Sequence, residues 1–431
     1  MQIQSEQTPK PGDARLPSLD RSRVMKALRT SAAGFVATQA AVLGAITAID
    51  SLRKRRTPLT GEFPHMAPQH VSADGNSLTL YCYGQDVYDE MLADITHARH
   101  VVFFESFIVK DDETGLAFKD ALIAAARRGV DVYVILDTWG NANQDPRFRR
   151  FPRLAHMHAI NFPFVRTGVF TGRSRDKGRD HRKILVVDDR VGYVGGYNIG
   201  TVYAKHWRDT HIRIQGPGVW ELSNTFREMW NAYRKTKHPV LKAEGTHDWN
   251  SGLQAVVNTP ARNVYPIESM YFDALSRATT RAWITMAYFV PDSPLIDTIV
   301  ETAQRGVDVR ILIPQYSNHI YVDWVGRPHY SRLLNAGVRI FLYQNAMVHA
   351  KTMTVDGKWS TVGTANIDRL SLRGNFEVNM EIYSPQFAAA MEKIFTLDLS
   401  NAIELTDQVW EARSPLAKAA ERVLGPLAPL L

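Results

Sequence analysis

Two stretches of the chain, DHRKILVVDDRVGYVGGYNIG and VHAKTMTVDGKWSTVGTANID, carry the same residues at the same offsets. Counted from the histidine, Lys follows at +2, Asp at +7, Gly at +14, Asn at +17 and a carboxylate at +28. The first copy is His181, Lys183, Asp188, Gly195, Asn198 and Asp209; the second is His349, Lys351, Asp356, Gly363, Asn366 and Glu377. A single His-x-Lys is an ordinary half-exposed strand. Repetition at this many offsets marks two copies of one folding unit.

The surrounding text repeats as well. VVFFESFIV (101–109) is an apolar strand, followed by a helix ending in AAARRGVDVYVIL; AWITMAYFV (282–290) is followed by ETAQRGVDVRILI. The pentapeptide RGVDV recurs 177 residues apart, each time where a helix stops at glycine and a strand begins. Strands alternating with helices predict an α/β fold with two similar units. The expected divisions are 1–61 for a basic N-terminal segment and linker, 62–245 for the first unit, and 246–431 for the second unit with a helical tail. A content of 45% hydrophobic and 22% charged residues over 431 positions supplies cores for both and excludes disorder throughout or a many-span membrane protein. With one cysteine, Cys82, an intramolecular disulfide framework and any multi-cysteine metal site are excluded.

The runs ILVV and TMTV make each motif a strand, so His and Lys, two residues apart, project from one face. The Asp, an odd number of residues from the His, falls on the other face or past the strand end and reads as a structural partner of the turn. Imidazole, ammonium and amide together suit a phosphodiester, with Lys and Asn neutralising non-bridging oxygens as charge develops. One copy supplies a nucleophile or a proton carrier; two copies across a pseudo-twofold axis supply both. The carboxylate at +28 (Asp209, Glu377) is suited to bond the far ring nitrogen of a histidine and orient it. An ammonium among the candidate ligands argues against a metal site, and no metal is expected. Glu105 is a further candidate to line the site, although Tyr288 indicates that the second half does not repeat it. His156, His158, His206 and His211 read as surface or core residues.

The paired HxKxxxxD motifs, followed by GGYN and GTAN, resemble the phospholipase D superfamily. YFVPDSPLIDTIVETAQRGVDVRILIP, the stretch VHAKTMTVDGKWSTVGTANIDRLSLRGNFEVNMEIYS, WRDTHIRIQGPGV and the closing SPLAKAAERVLGPLAPLL are similar to bacterial cardiolipin synthases, over about residues 75–431. The resemblance implies two phospholipase D-like α/β/α sandwich domains. It also implies a catalytic set of His181, Lys183, Asp188, His349, Lys351 and Asp356, with Asn198, Asn366, Asp209 and Glu377 binding or orienting substrate. No cofactor is implied. The implied reaction moves a phosphatidyl group between two phosphatidylglycerol molecules through a phosphohistidine, with His181 as nucleophile and His349 as acid and base. Hydrolysis to phosphatidic acid uses the same residues and is the first alternative; a metal-independent nuclease is an alternative of another class, and a non-catalytic membrane tether a third. Two departures stand out: MAYFVP where the family usually has Thr-Pro before Tyr-Phe, and Gly196 where many superfamily members have Ser.

The charge is unevenly placed. The chain carries a net +7, but residues 1–60 hold ten Lys and Arg against four Asp and Glu, which leaves only +1 for the rest. A nucleic-acid enzyme wants a basic catalytic body, so this distribution favours an anionic membrane surface as partner and disfavours nucleic acid. Residues 30–49 are uncharged, and Val24, Leu28, Phe35, Val42, Ile46 and Ile49 form one stripe of a helix. Three outcomes stay open: an amphipathic helix docked on the protein's own body, one lying in the membrane interface, or a single span. Thr57 to Pro68 reads as a linker. The expected location is the bacterial cell membrane, with peripheral or single-anchor attachment.

Overall fold

The computed structural model describes residues 21–56, 59–163, 178–243, 245 and 251–430, with the backbone alone for 21–36 and 429–430. The first half contributes β1 (Gln69–Ala73), β2 (Asn76–Tyr81), β3 (Val101–Ser106), β4 (Asp131–Asp137), β5 (Met157–Phe162), β6 (Ile184–Val187), β7 (Val191–Gly195), the two-residue β8 (Trp207–Arg208) and β9 (His211–Gln215). The second contributes β10 (Leu253–Asn258), β11 (Arg281–Met286), β12 (Asp308–Pro314), β13 (Arg339–Tyr343), the two-residue β14 (Met347–Val348), β15 (Lys351–Val355), β16 (Trp359–Gly363), β17 (Glu377–Tyr383) and β18 (Ala402–Leu405).

Two eight-stranded sheets result, ordered β1-β2-β9-β7-β6-β3-β4-β5 and β10-β17-β16-β15-β11-β12-β13-β18. Seven of the eight positions correspond strand for strand. Within each, three adjacent strands are parallel (β3-β4-β5, ending at the sheet edge, and β11-β12-β13) and the motif strand pairs antiparallel beside them. The middle strands of these trios, β4 and β12, are buried almost throughout, as parallel strands covered by helices on both faces must be.

The repeated RGVDV has a local cause. Arg128 and Arg305 cap the C-termini of the helices Glu113–Arg127 and Ser293–Gln304 just before Gly129 and Gly306, whose φ angles of 95° and 89° give the left-handed exit that favours glycine. Each arginine then reaches back to the end of the preceding helix. Arg128 donates to the carbonyls of Ile95 and Thr96, and Arg305 to those of Leu275, Ser276 and Ala278. Carbonyls that a helix end leaves without partners are thereby satisfied.

The halves share a core. Leu78, Phe103, Ile184, Val194, Phe226 and Trp230 from one belong to the same apolar cluster as Phe376, Val378, Met380, Phe387 and Met391 from the other. A buried ion pair also joins the halves: the guanidinium of Arg208 makes two bonds to the Asp398 carboxylate, at 2.9 and 2.7 Å, with both side chains almost wholly buried. Removing one member of such a pair strands the other charge in the core, at a cost of about 3–5 kcal/mol. Arg208→Met is therefore expected to lower the unfolding free energy by about that amount, read from urea denaturation midpoints.

The N-terminal helix spans Arg21–Arg56, and no described helix is long and apolar enough to cross a membrane. Of the expected stripe, Val42 and Ile46, joined by Leu43, pack on Ile320, Val322, Trp324, Val325 and Leu424 of the second half. Ile49 is instead 66% exposed, and Leu52 is 54% exposed. The side chains of Val24, Leu28 and Phe35 lie outside the described residues. Gln39, which donates to the Val423 carbonyl at 3.1 Å, and Arg53, whose guanidinium lies 3.7 Å over the Tyr316 ring, extend this docking to either side, while Ile49 and Leu52 stay uncovered.

Candidate active site

The motif histidines stand where the halves touch. Asp180 forms a parallel bridge with Phe376, and the His181 N–H donates to the Phe376 carbonyl at 3.0 Å. In the mirrored arrangement β14 runs parallel to β8, and the His349 N–H donates to the Arg208 carbonyl at 2.6 Å. The residue after Phe376 is Glu377, and the residue after Arg208 is Asp209. Backbone register therefore sets each carboxylate beside the histidine of the opposite half.

Side chains complete the exchange. His181 Nδ1 lies 3.0 Å from both oxygens of Glu377, and His349 Nδ1 lies 2.7 Å from Asp209 Oδ2. A carboxylate only accepts, so Nδ1 carries the proton and Nε2 keeps its lone pair for the substrate. Burial, reinforced by the motif lysines, pushes both histidines below their ordinary pKa despite the facing carboxylates, His349 to about 3. Burial alone would raise Asp209, but His349, Lys351 and the Thr210 N–H outweigh it and hold the carboxyl ionised. Phe107 packs edge-on to His181 at 4.8 Å between ring centres, and Trp207 lies 5.0 Å from His349.

Lys183 Nζ donates to the His181 carbonyl at 2.6 Å, and Lys351 Nζ donates to the His349 carbonyl. Burial drives Lys183 down to about 7, with Glu377 opposing and Lys351 adding to the shift; burial likewise drives Lys351 to about 8, against Asp209 and Glu377. Two ammonium groups held this close to neutrality gain stability from an arriving phosphate. The expected pH profile follows in sign: below about 7 both lysines are charged, and above it Lys183 and then Lys351 lose protons. Subsaturating initial rates (kcat/KM) should fall through pH 7 to 8, whereas kcat should fall only at higher pH, because bound anion raises both pKa values.

Asn198 and Asn366 are both buried. The Ile108 N–H donates to Asn198 Oδ1 at 3.2 Å, which leaves the amide NH2 as its donor; Asn366 Oδ1 has no partner among the described residues. Gly196 has a steric reason: a Cβ there would lie 2.1 Å from Asp209 Oδ1. At the matching place in the second half stands Thr364, whose hydroxyl donates to Glu377 Oε2 at 2.6 Å. The shorter carboxylate sits against a bare glycine, and the longer one is held by a hydroxyl.

Asp188 and Asp356 stand apart from this cluster. Each takes a left-handed conformation beyond its strand, with φ of 54° and 53°. Asp188 accepts from the N–H groups of Arg99, His100 and Val101 at 2.7–3.0 Å, and Asp356 from those of Thr279, Thr280 and Arg281 over the same range. These bonds hold both carboxyls below their usual range against the raising effect of burial. Both aspartates thus anchor the starts of β3 and β11, the structural role their place past the strand end suggests, rather than reaching toward the histidines.

Glu105 pairs in register with Ile184 and so shares the face opposite His181 and Lys183; it lies 2.7 Å from Arg182 in the core. It does not line the site. Its counterpart is Thr285, which pairs with Thr352, while Tyr288 lies 6.1 Å from the His349 ring. His206 is exposed, exposed His156 pairs with Asp131 at 2.7 Å, half-buried His158 stacks on Tyr133, and His211 is buried behind Asp209. Sequence reasoning missed Thr364, Phe107 and Trp207; of these only Thr364 carries a signal, at the offset where the first copy has Gly196.

Comparison with known proteins places this geometry. The family model described as cardiolipin synthase, PLD-like domain, matches residues 91–230 and 271–399, one match per half. A cardiolipin synthase of Staphylococcus aureus is 34% identical over 366 residues, 83% of this chain and 74% of that one. The major cardiolipin synthase of Bacillus subtilis is 34% identical over 374 residues, 84% of this chain and 77% of that one. Among solved structures, phosphatidylserine synthase of Haemophilus influenzae superposes with a TM-score of 0.64 at 15% identity, covering 88% of this chain and 97% of that one, a likeness of fold. With both halves matched by the family model and about a third of the aligned residues identical to these relatives, the chain belongs to the cardiolipin synthase family of phospholipase D-like phosphatidyltransferases.

Proposed function

We propose that this enzyme transfers a phosphatidyl group from one phosphatidylglycerol to a second, giving cardiolipin and glycerol. The observation that carries the reading is the crossed pair of bonds, Glu377 to His181 and Asp209 to His349. It arms two Nε2 atoms in one centre, one for attack and one for proton transfer.

In the first step His181 Nε2 attacks phosphorus, a P–N bond forms, and the P–O bond to glycerol breaks. His349, protonated at Nε2 once the anionic phosphodiester is bound, gives that proton to the departing oxygen. In the second step the hydroxyl of another phosphatidylglycerol returns a proton to His349 Nε2 as its oxygen attacks phosphorus and the P–N bond breaks. Lys183, Lys351 and the amide of Asn198 stabilise the charge on the non-bridging oxygens.

The substrates are membrane lipids, and the exposed Ile49 and Leu52 beside Lys54, Arg55 and Arg56 supply an apolar and basic surface for an anionic bilayer. This supports peripheral attachment at the bacterial cell membrane. Purified enzyme incubated with phosphatidylglycerol vesicles and analysed by mass spectrometry should yield cardiolipin and free glycerol in equal amounts. Phosphatidic acid as the sole lipid product would replace transfer by hydrolysis.

A further inference from the structure

The ring beside each motif histidine comes from a different position in the two halves. Glu105 pairs with Ile184 and Thr285 with Thr352, so Phe107 and Ala287 occupy equivalent places two residues further on. In the first half the Phe107 ring packs edge-on to His181 and lies 5.4 Å from Lys183 Nζ. In the second half that place holds only a methyl group, and the next residue, Tyr288, supplies the ring. It meets His349 edge-on at 6.1 Å between ring centres and lies 6.0 Å from Lys351 Nζ.

The substitute ring brings a hydroxyl, and that hydroxyl ties it to another element. Tyr288 donates to Asn318 Oδ1 at 2.6 Å, and the His319 ring lies 5.7 Å from that of Tyr288. Asn318 and His319 belong to the loop 315–319, between β12 and the helix Ile320–Gly326. This loop is pinned from within: the Ser317 N–H donates to Asp323 Oδ2 at 2.9 Å, and the His319 N–H donates to Ser317 Oγ at 3.1 Å.

The N-terminal helix pins it from outside. The Arg53 guanidinium lies 3.7 Å over the Tyr316 ring and is itself oriented by Asp50 Oδ1, to which Nε and Nη2 donate at 3.1 and 2.7 Å. Asp50 is buried, and Lys54 Nζ lies 2.6 Å from its other oxygen. Further back along the helix, Ile46 packs in one cluster with Ile320, Val322 and Tyr288. A continuous series of contacts thus runs from Arg53 through Tyr316, Asn318 and Tyr288 to His349. A helix that only tethered the chain would need its bilayer face and no grip on this loop.

We propose that Arg53 is a positioning residue for the reaction, acting through the loop 315–319 to hold Tyr288 against His349 and Lys351. The inference rests on the proton-transfer role given to His349 above. A ring held edge-on fixes the plane of the imidazole and keeps bulk water from it. With the loop released, Tyr288 swings and His349 loses its fixed approach to the acceptor hydroxyl. Misplacement by about 1 Å costs such a step about 10²-fold, so loss of one brace among several costs less.

A soluble assay separates this role from membrane attachment. The donor is a short-chain phosphatidyl ester with a chromophoric leaving group of low pKa, kept below its micelle concentration, and glycerol is the acceptor. The burst then reports attack by His181, and the steady phase reports the work of His349. Arg53→Ala is expected to keep the burst and lose about tenfold in steady-state kcat, with KM for the donor changed less. Arg53→Lys, which returns a cation without the flat guanidinium, should recover part of that loss. Asn318→Ala breaks the same route, so the double variant with Arg53→Ala should be about as active as Asn318→Ala alone. A steady-state kcat in Arg53→Ala equal to that of the unmutated enzyme, or losses that multiply in the double variant, would overturn the brace. If the histidine roles are reversed, the loss moves into the burst with the same non-additivity, which overturns the role given to His349 and supports the brace.

Discussion

His349→Ala, given a phosphatidyl donor whose leaving group has a low pKa, is expected to release one equivalent of that group per chain and then stall. The burst occurs because a good leaving group needs no proton, so His181 Nε2 attacks as before. The stall occurs because no base remains to activate the acceptor hydroxyl. On phosphatidylglycerol itself, where glycerol must be protonated as it leaves, the same variant should lose about 10²–10⁴-fold in kcat. His181→Ala is expected to show no burst with either donor and a loss on the order of 10⁶-fold, the scale for removing a nucleophile from a cooperating set. Stopped-flow absorbance of a chromophoric leaving group separates the two. Equal bursts from both variants would mean that the roles are not divided as proposed.

The second large effect concerns the crossed carboxylates. Asp209→Asn and Glu377→Gln each replace an acceptor with an amide that can present NH2 to Nδ1, which favours the tautomer with the proton on Nε2 and removes the lone pair that reacts. Losses of about 10⁴-fold in kcat are expected for each, the scale for an orienting carboxylate in a comparable arrangement. The pattern is more telling than the size. Because Glu377 holds His181 and Asp209 holds His349, the activated donor should give a burst with Asp209→Asn and none with Glu377→Gln. Pairing within each half would give the reverse. Neither variant should change stability as Arg208→Met does, which circular dichroism melts check.

The duplicated His, Lys and Asn were legible because a repeat preserves offsets whatever the fold does elsewhere, whereas the crowding of Gly196 by Asp209 is a tertiary contact that no offset shows. The strand parity that set Asp188 and Asp356 apart was legible too, since alternation along ILVV and TMTV needs no tertiary information. The exchange of partners was not. An offset of +28 is the same whether a carboxylate reaches its own histidine or the other one, and the choice is made by the two-residue ladder of β8 with β14 and the bridge of Asp180 with Phe376. Glu105 shows the same limit: its partner across the sheet is Ile184, and only that register turns it toward the core. On the N-terminal helix, a stripe drawn at 100° per residue does not reveal that the body is met by Gln39, residues 42–46 and Arg53 while Ile49 stays outside.

The division of labour between two equivalent-looking histidines is open to one direct observation. Enzyme turning over phosphatidylglycerol, quenched within one turnover and digested under alkaline conditions that preserve phosphoramidates, should carry one phosphatidyl group per chain. Fragment-ion mass spectrometry should find it on His181 and, because Nδ1 is held by Glu377, attached through Nε2. A label on His349 alone, or cardiolipin formation with no protein-bound phosphatidyl group at any time, would contradict this assignment.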